Sequence, residues 1–123
     1  MVDMLRSLLV KEITRKVYES VRIIGAVCHG PVALLNVYLS NGEYLITGKR
    51  ITAFTEAEEQ EKNHTINDII PFILEKALVA QGAIFVNADP FEPYVVADGN
   101  LITGQNPASS ILVAREMIKL LIE

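Results

Sequence analysis

Residues 21 to 31 constrain the fold of this chain more than any other stretch. The run from Val21 to Val27 is short, almost wholly apolar and rich in β-branched side chains. That is the pattern of a strand covered on both faces within a parallel sheet. Parallel neighbours require crossover connections, usually helical, so the run predicts an α/β architecture. Its last part, Ile23 to Val27, leads into Cys28-His29-Gly30-Pro31, and Val32 to Val37 then carries a helical pattern. Cys28 is the sole cysteine of the chain. At a strand-to-helix turn it would face unpaired helix N–H groups and the positive dipole end, which favour thiolate over thiol. An imidazole stands beside it. Gly30 allows close backbone approach, and Pro31 suits a first helical position, where its missing N–H costs nothing.

The rest of the chain alternates helix and strand. Val2, Leu5, Leu8, Leu9, Ile13 and Val17 recur at steps of three and four, which predicts an opening helix with one apolar face before Ser20. Asn41-Gly42 marks a turn, Tyr44 to Ile46 and Ile51 to Ala53 read as short strands, and Thr55 to Lys62 as an acidic helical turn. A helix is expected from Pro71 to about Gln81, closed by Gly82, which can take a left-handed cap. A strand follows near Ala83 to Val86. Tyr94 to Ala97 and Leu101 to Thr103 then form a hairpin around Asp98-Gly99-Asn100. The last helix runs from about Ala108, with Ile111, Ala114, Ile118, Leu121 and Ile122 expected on its inner face.

Composition removes several function classes. The chain of 123 residues is 50% apolar and 21% charged, which fits one globular domain. Mean hydropathy is +0.31, yet no run approaches the roughly 18 apolar residues of a membrane span. Asp3, Arg6 and Lys11 interrupt the N-terminal apolar stretch, so no signal-like core is expected and the cytoplasm is the default location. A lone cysteine forms no internal disulfide, in keeping with a reducing compartment. A net charge of −4 with scattered Lys and Arg offers no basic stripe for nucleic acid. A zinc site from Cys28, His29 and His64 matches no usual ligand spacing, and His64 reads as an exposed loop residue.

Three ordered motifs carry a resemblance. Ala26-Val27-Cys28-His29-Gly30-Pro31, then Gly48-Lys49-Arg50 with Phe54-Thr55 before a Glu cluster, and later Asp98-Gly99-Asn100-Leu101-Ile102-Thr103-Gly104-Gln105-Asn106-Pro107-Ala108-Ser109, resemble the DJ-1/PfpI superfamily. Within it they look most like the glutathione-independent, glyoxalase III-like branch, whose members are also described as chaperones and protein deglycases. The resemblance covers nearly the whole chain but only the C-terminal half of the family domain. It implies a partial flavodoxin-like (class I glutamine amidotransferase-like) α/β sandwich over residues 1–123, with a parallel sheet lacking the family's first strands and with a small β-hairpin. The proton-transfer glutamate and the glycine-rich loop of the family's N-terminal half are expected to be absent. So is the usual neighbour of the elbow strand, leaving an apolar edge open to assembly.

The resemblance also implies a site. It places the nucleophile at Cys28, the imidazole at His29 and the orienting carboxylate at Glu59, five residues after Phe54. A thiolate adding to methylglyoxal, proton transfer between neighbouring carbons and hydrolysis of the thioester would give D-lactate with no cofactor and no metal. Where the family often shows Trp-x-Pro-His, this chain has Phe91-Glu92-Pro93-Tyr94, which changes one pocket wall. From the residues alone, a cysteine after an apolar strand is also a small buried hydrophobe, and His29 also a core histidine satisfied by backbone. Glu56, Glu58, Glu59 and Glu61 read by default as a solvated acidic face. Two functions stay open: a glyoxalase-type lyase acting on a small aldehyde, or a non-catalytic half-domain with chaperone-like or interaction roles. In either case self-association, or a partner chain covering the open sheet edge, is expected.

Overall fold

The computed structural model describes residues 7–62 and 72–122. Helix α1 (Leu8–Glu19) starts at Ser7, whose side chain accepts from the Val10 N–H at 3.1 Å and so occupies one orphan donor of the first turn. The expected positions Val2 and Leu5 lie outside the described residues. After α1 the chain reverses at Val21, which has φ 59°, an uncommon conformation for a β-branched residue. The strand therefore begins later than its apolar pattern, as β1 (Ile24–Val27).

A short 3₁₀ helix, Gly30–Leu34, replaces the expected Val32–Val37 helix. Leu35 leaves the helical region at ψ 140° and Asn36 sits at φ 61°, which turns Leu34, Leu35 and Val37 into the core. Tyr44–Ile46 likewise forms no strand; one antiparallel bridge joins Tyr38 to Tyr44 across the Asn41-Gly42 turn. Leu45 and Ile46 are both buried, which a one-faced strand could not achieve.

Strand β2 (Arg50–Ile51) pairs in parallel with β3 (Ile84–Phe85). The ladder stops there because later backbone donors go elsewhere: Thr52 N–H to Thr103 Oγ1 at 3.0 Å, and Phe54 N–H to Cys28 O at 2.9 Å. Helix α2 (Glu56–Glu61) and helix α3 (Leu74–Ala80) lie between these strands in sequence, and Pro71 falls outside the described residues. Gly82 closes α3 at φ 93°, with Gly82 N–H on Val79 O and Ala83 N–H on Leu78 O, the paired bonds of a Schellman cap.

Strands β4 (Val95–Asp98) and β5 (Leu101–Gly104) form the expected hairpin, with Gly99 left-handed at φ 61° in its loop. Strand β1 pairs in parallel with β5, giving the order β1-β5-β4. Strand β1 is therefore an edge among the described residues. Helix α4 (Ser110–Ile122), entered through a 3₁₀ turn at Pro107–Ser109, packs on β1 and β5. A Cβ on Gly104 would lie 2.6 Å from Val113 Cγ2, so only glycine admits this helix so close to the strand.

The main core joins Val32, Leu34, Leu35, Val37, Leu45, Ile46, Ile51, Ala53, Leu74 and Leu78 with Leu101. The last helix departs from the expected inner face, and the apolar stripe of α1 also stands in water. Leu8 is 80% exposed and Leu121 72%, and Leu9, Ile13, Ile111, Ile118 and Ile122 are exposed as well. The face of α4 that meets the sheet carries Val113 and Met117 instead. Both helices contact β1, beside which no further strand lies among the described residues.

Candidate active site

Cys28 sits one residue beyond β1 with φ 63°, a left-handed turn that any side chain other than glycine adopts at a cost. The turn is clamped from both sides: Cys28 N–H donates to Gly104 O at 3.0 Å, and Cys28 O accepts from Phe54 N–H at 2.9 Å. The structure brings the three sequence-selected residues together. Sγ of Cys28 lies 3.6 Å from Nδ1 of His29, and Nε2 of the same ring contacts Oε1 of Glu59. Phe54 packs on the imidazole with ring centroids 4.7 Å apart, and Phe91 meets Phe54 edge-on at 6.0 Å.

Glu59 reaches His29 because α2 is set by a capping box. Thr55 Oγ1 accepts from Glu58 N–H at 3.1 Å, and Glu58 Oε1 accepts from Thr55 N–H at 2.9 Å. The solvated-face reading of this cluster fails for two of its four members. Glu58 and Glu59 are buried, whereas Glu61 is exposed and Glu56 half-buried.

The electrostatics correct the expected thiolate. Burial pushes the Cys28 thiol above its usual range, and the Glu58 and Glu59 carboxylates push it the same way, against a lowering hydrogen bond from the His29 N–H. The expected dipole has little to work with, since the following helix is a five-residue 3₁₀ turn. Glu58 behaves oppositely. Burial works to raise it, but hydrogen bonds from Thr55, Asn106, Phe91 and Gln105 outweigh burial and hold it below the usual carboxylate range.

A cavity of about 230 Å³ adjoins the cluster, lined by Phe54, Lys62, Phe91, Asn106, Pro107 and Ala108. Phe91, in the segment that departs from the family pattern, has φ 63° and forms one wall. Sequence reasoning missed Phe54 as the ring against His29, and it missed Glu58; the Thr55-x-x-Glu58 capping pattern was the available signal for the latter. No group of three or more His, Cys, Asp or Glu side chains among the described residues is arranged to hold a metal ion, and His64 lies outside them. No helix among the described residues is long and apolar enough to cross a membrane.

Known proteins share this arrangement of chain. A probable glutathione-independent glyoxalase of Schizosaccharomyces pombe is 40% identical over 103 residues, covering 81% of this chain and 46% of the relative. Glyoxalase 3 of Candida albicans is 32% identical over 114 residues, covering 88% and 48%. The crystal structure of glyoxalase III from Candida albicans superposes with a TM-score of 0.86 at 30% identity, over 96% of this chain and 51% of that one. The Rapid Encystment Protein of Francisella tularensis gives 0.89 at 34% identity, over 95% and 51%. The fold is thus the partial flavodoxin-like α/β arrangement expected from the motifs. The chain spans about half the length of the curated relatives it matches. The sequence pattern of the DJ-1/PfpI family matches residues 2–120, almost end to end, and the chain belongs to that family.

Proposed function

We propose that this chain carries the thiol chemistry of a glutathione-independent glyoxalase, turning methylglyoxal or another small α-oxoaldehyde into a hydroxy acid. The observation that carries the reading is the relay at the elbow: Sγ of Cys28 beside Nδ1 of His29, and Nε2 of that ring on Glu59. The names of the relatives support it.

Glu59 favours the tautomer with the proton on Nε2, leaving the Nδ1 lone pair toward sulfur. Because the resting thiol is pushed up, the proton leaves as the C–S bond forms, passing from Sγ to Nδ1 and then to the aldehyde oxygen. The product is a hemithioacetal. Removal of the C1 hydrogen as a proton, with a proton placed on the C2 oxygen, gives an enediol. Protonation at C2 and loss of the C1 hydroxyl proton give a thioester. Water then breaks the C–S bond, releasing the hydroxy acid and returning a proton to sulfur. C1 is oxidised and C2 reduced within one molecule, so the balance needs no outside oxidant. The test is D-lactate formation from methylglyoxal: Cys28→Ser abolishes it, and equal activity in the variant overturns the reading.

A second reading is favoured by the free edge of β1. A cavity of about 380 Å³ runs beside that edge, lined by Thr14, Ile24, Ala26, Val27, Val113 and Met117 among others. In this reading the chain is a non-catalytic half-domain whose edge is covered by a partner chain or a second copy. Light scattering reads the assembly state. Robust turnover by the isolated chain as a monomer counts against this reading.

A further inference from the structure

One buried carboxylate in the cluster has no part in the relay. Glu58 has no exposed surface, although it is the neighbour in sequence of Glu59. Its Oε1 accepts from Thr55 N–H at 2.9 Å and from Thr55 Oγ1 at 3.2 Å. Its Oε2 accepts from Phe91 N–H at 2.7 Å and from Asn106 Nδ2 at 2.9 Å. The chain of bonds continues: Asn106 Nδ2 also donates to Glu92 O, Asn106 Oδ1 accepts from Ser109 Oγ, and that hydroxyl accepts from Tyr94 N–H.

Three separate stretches therefore meet on one side chain, and each presents something to the site. The stretch at 55–59 carries Glu59, that at 91–94 carries the Phe91 wall, and that at 106–109 carries Asn106, which lines the same cavity. Phe91 is held in a left-handed conformation, which is costly for a bulky residue and persists only where surroundings over-determine it. Its N–H is fixed by Glu58. A buried carboxylate is itself costly unless its lone pairs are occupied, and here both oxygens are doubly engaged.

We propose that Glu58 is a positioning residue of the thiol site: its carboxylate locks the Glu59 helix, the Phe91 turn and the Asn106 turn together, fixing the imidazole and the pocket wall against which Cys28 works. Its meaning for turnover rests on the proposed chemistry. The experiment reads the site directly, so that the two can fail separately.

Besides burial, the thiol feels a hydrogen bond from the His29 backbone N–H and the charges of Glu58 and Glu59. Two readouts are taken on the full chain. The first is the pH profile of iodoacetamide alkylation at Cys28, unambiguous because no other cysteine exists. The second is the imidazole Nε2–H resonance of His29 in ¹⁵N-labelled protein. Glu58→Gln moves the alkylation midpoint to lower pH, since a charge that raises the thiol is gone, and shifts or broadens the His29 resonance as Glu59 loses its mooring. Glu58→Asp, which keeps the charge, leaves the midpoint near that of the parent. A carboxylate that only holds the fold together would lower thermal stability in Glu58→Gln and move the midpoint through its lost charge alone, while leaving the His29 resonance unchanged, and that result overturns the proposal. Where Glu58→Gln does not fold, Asn106→Ala carries the test, because it removes one donor and keeps the charge. A folded Asn106→Ala protein with a displaced His29 resonance supports the proposal, and an undisturbed resonance overturns it. Absence of methylglyoxal turnover in the parent protein, with both readouts as expected, sinks the glyoxalase reading alone.

Discussion

A thiol that resists ionisation must lose its proton during attack, so the imidazole beside Cys28 matters more than it would for a preformed thiolate. His29→Ala is expected to lower kcat/KM for methylglyoxal by about 10²- to 10⁴-fold, the usual contribution of positioned acid–base catalysis. Glu59→Gln should lower kcat while leaving circular dichroism unchanged, since the ring loses its orienting partner but keeps its place over Phe54. Glu58 makes a separate prediction through linkage. Its folded pKa is depressed, so its contribution to stability is complete above the unfolded carboxylate value and is lost as pH falls through the lower folded value. Acid titration followed by circular dichroism should show this loss in the parent and not in Glu58→Gln. Cys28, His29 and Glu59 were legible because family motifs fix their register. Glu58 was not, because a glutamate in an acidic run looks the same whether water or backbone N–H groups surround it. The thiolate expectation failed for a related reason: spacing shows a turn, whereas burial and two nearby carboxylates decide its electrostatics.

At the level of elements, hairpin β4–β5 and the Gly82 cap follow from local turn chemistry and were readable. Tyr44–Ile46 was not. Two adjacent buried side chains need a chain reversal that a period-two pattern does not encode. The last helix was readable but its inner face was misassigned, because periodicity gives an apolar stripe and not the surface it meets. Val113 and Met117 face the sheet, while Ile111, Ile118, Leu121 and Ile122 do not lie on it. The tight seat of α4 yields a prediction. Gly104→Ala would set a Cβ 2.6 Å from Val113 Cγ2 and 3.1 Å from Ser109 Cβ, so overpacking should cost about 1–3 kcal/mol in denaturant unfolding. Helix α2 yields another. Thr55→Ala removes an N-cap and one of Glu58's hydrogen bonds, an expected loss of about 1 kcal/mol or more, read as a lower melting temperature.

Among the described residues of the whole molecule, edge strand β1 is bordered by α1 and α4, both of which carry exposed apolar side chains. Such a border is a place for association. The melting transition, followed by near-ultraviolet circular dichroism, should rise with protein concentration, and Leu121→Lys together with Ile118→Glu should weaken that dependence. A transition independent of concentration in the parent would count against association through this border. The clamped elbow also links chemistry to the history of the chain. Its left-handed turn is pinned by backbone partners at residues 54 and 104, distant in sequence from residue 28. Contacts of such long separation close late, because loop entropy must be overcome first. A nascent or damaged copy would therefore display an ordinary flexible cysteine, and its distinctive reactivity would arrive only with completed folding. The thiol is in effect a chemical stamp of native state, one that a pulse of alkylating reagent during refolding could read.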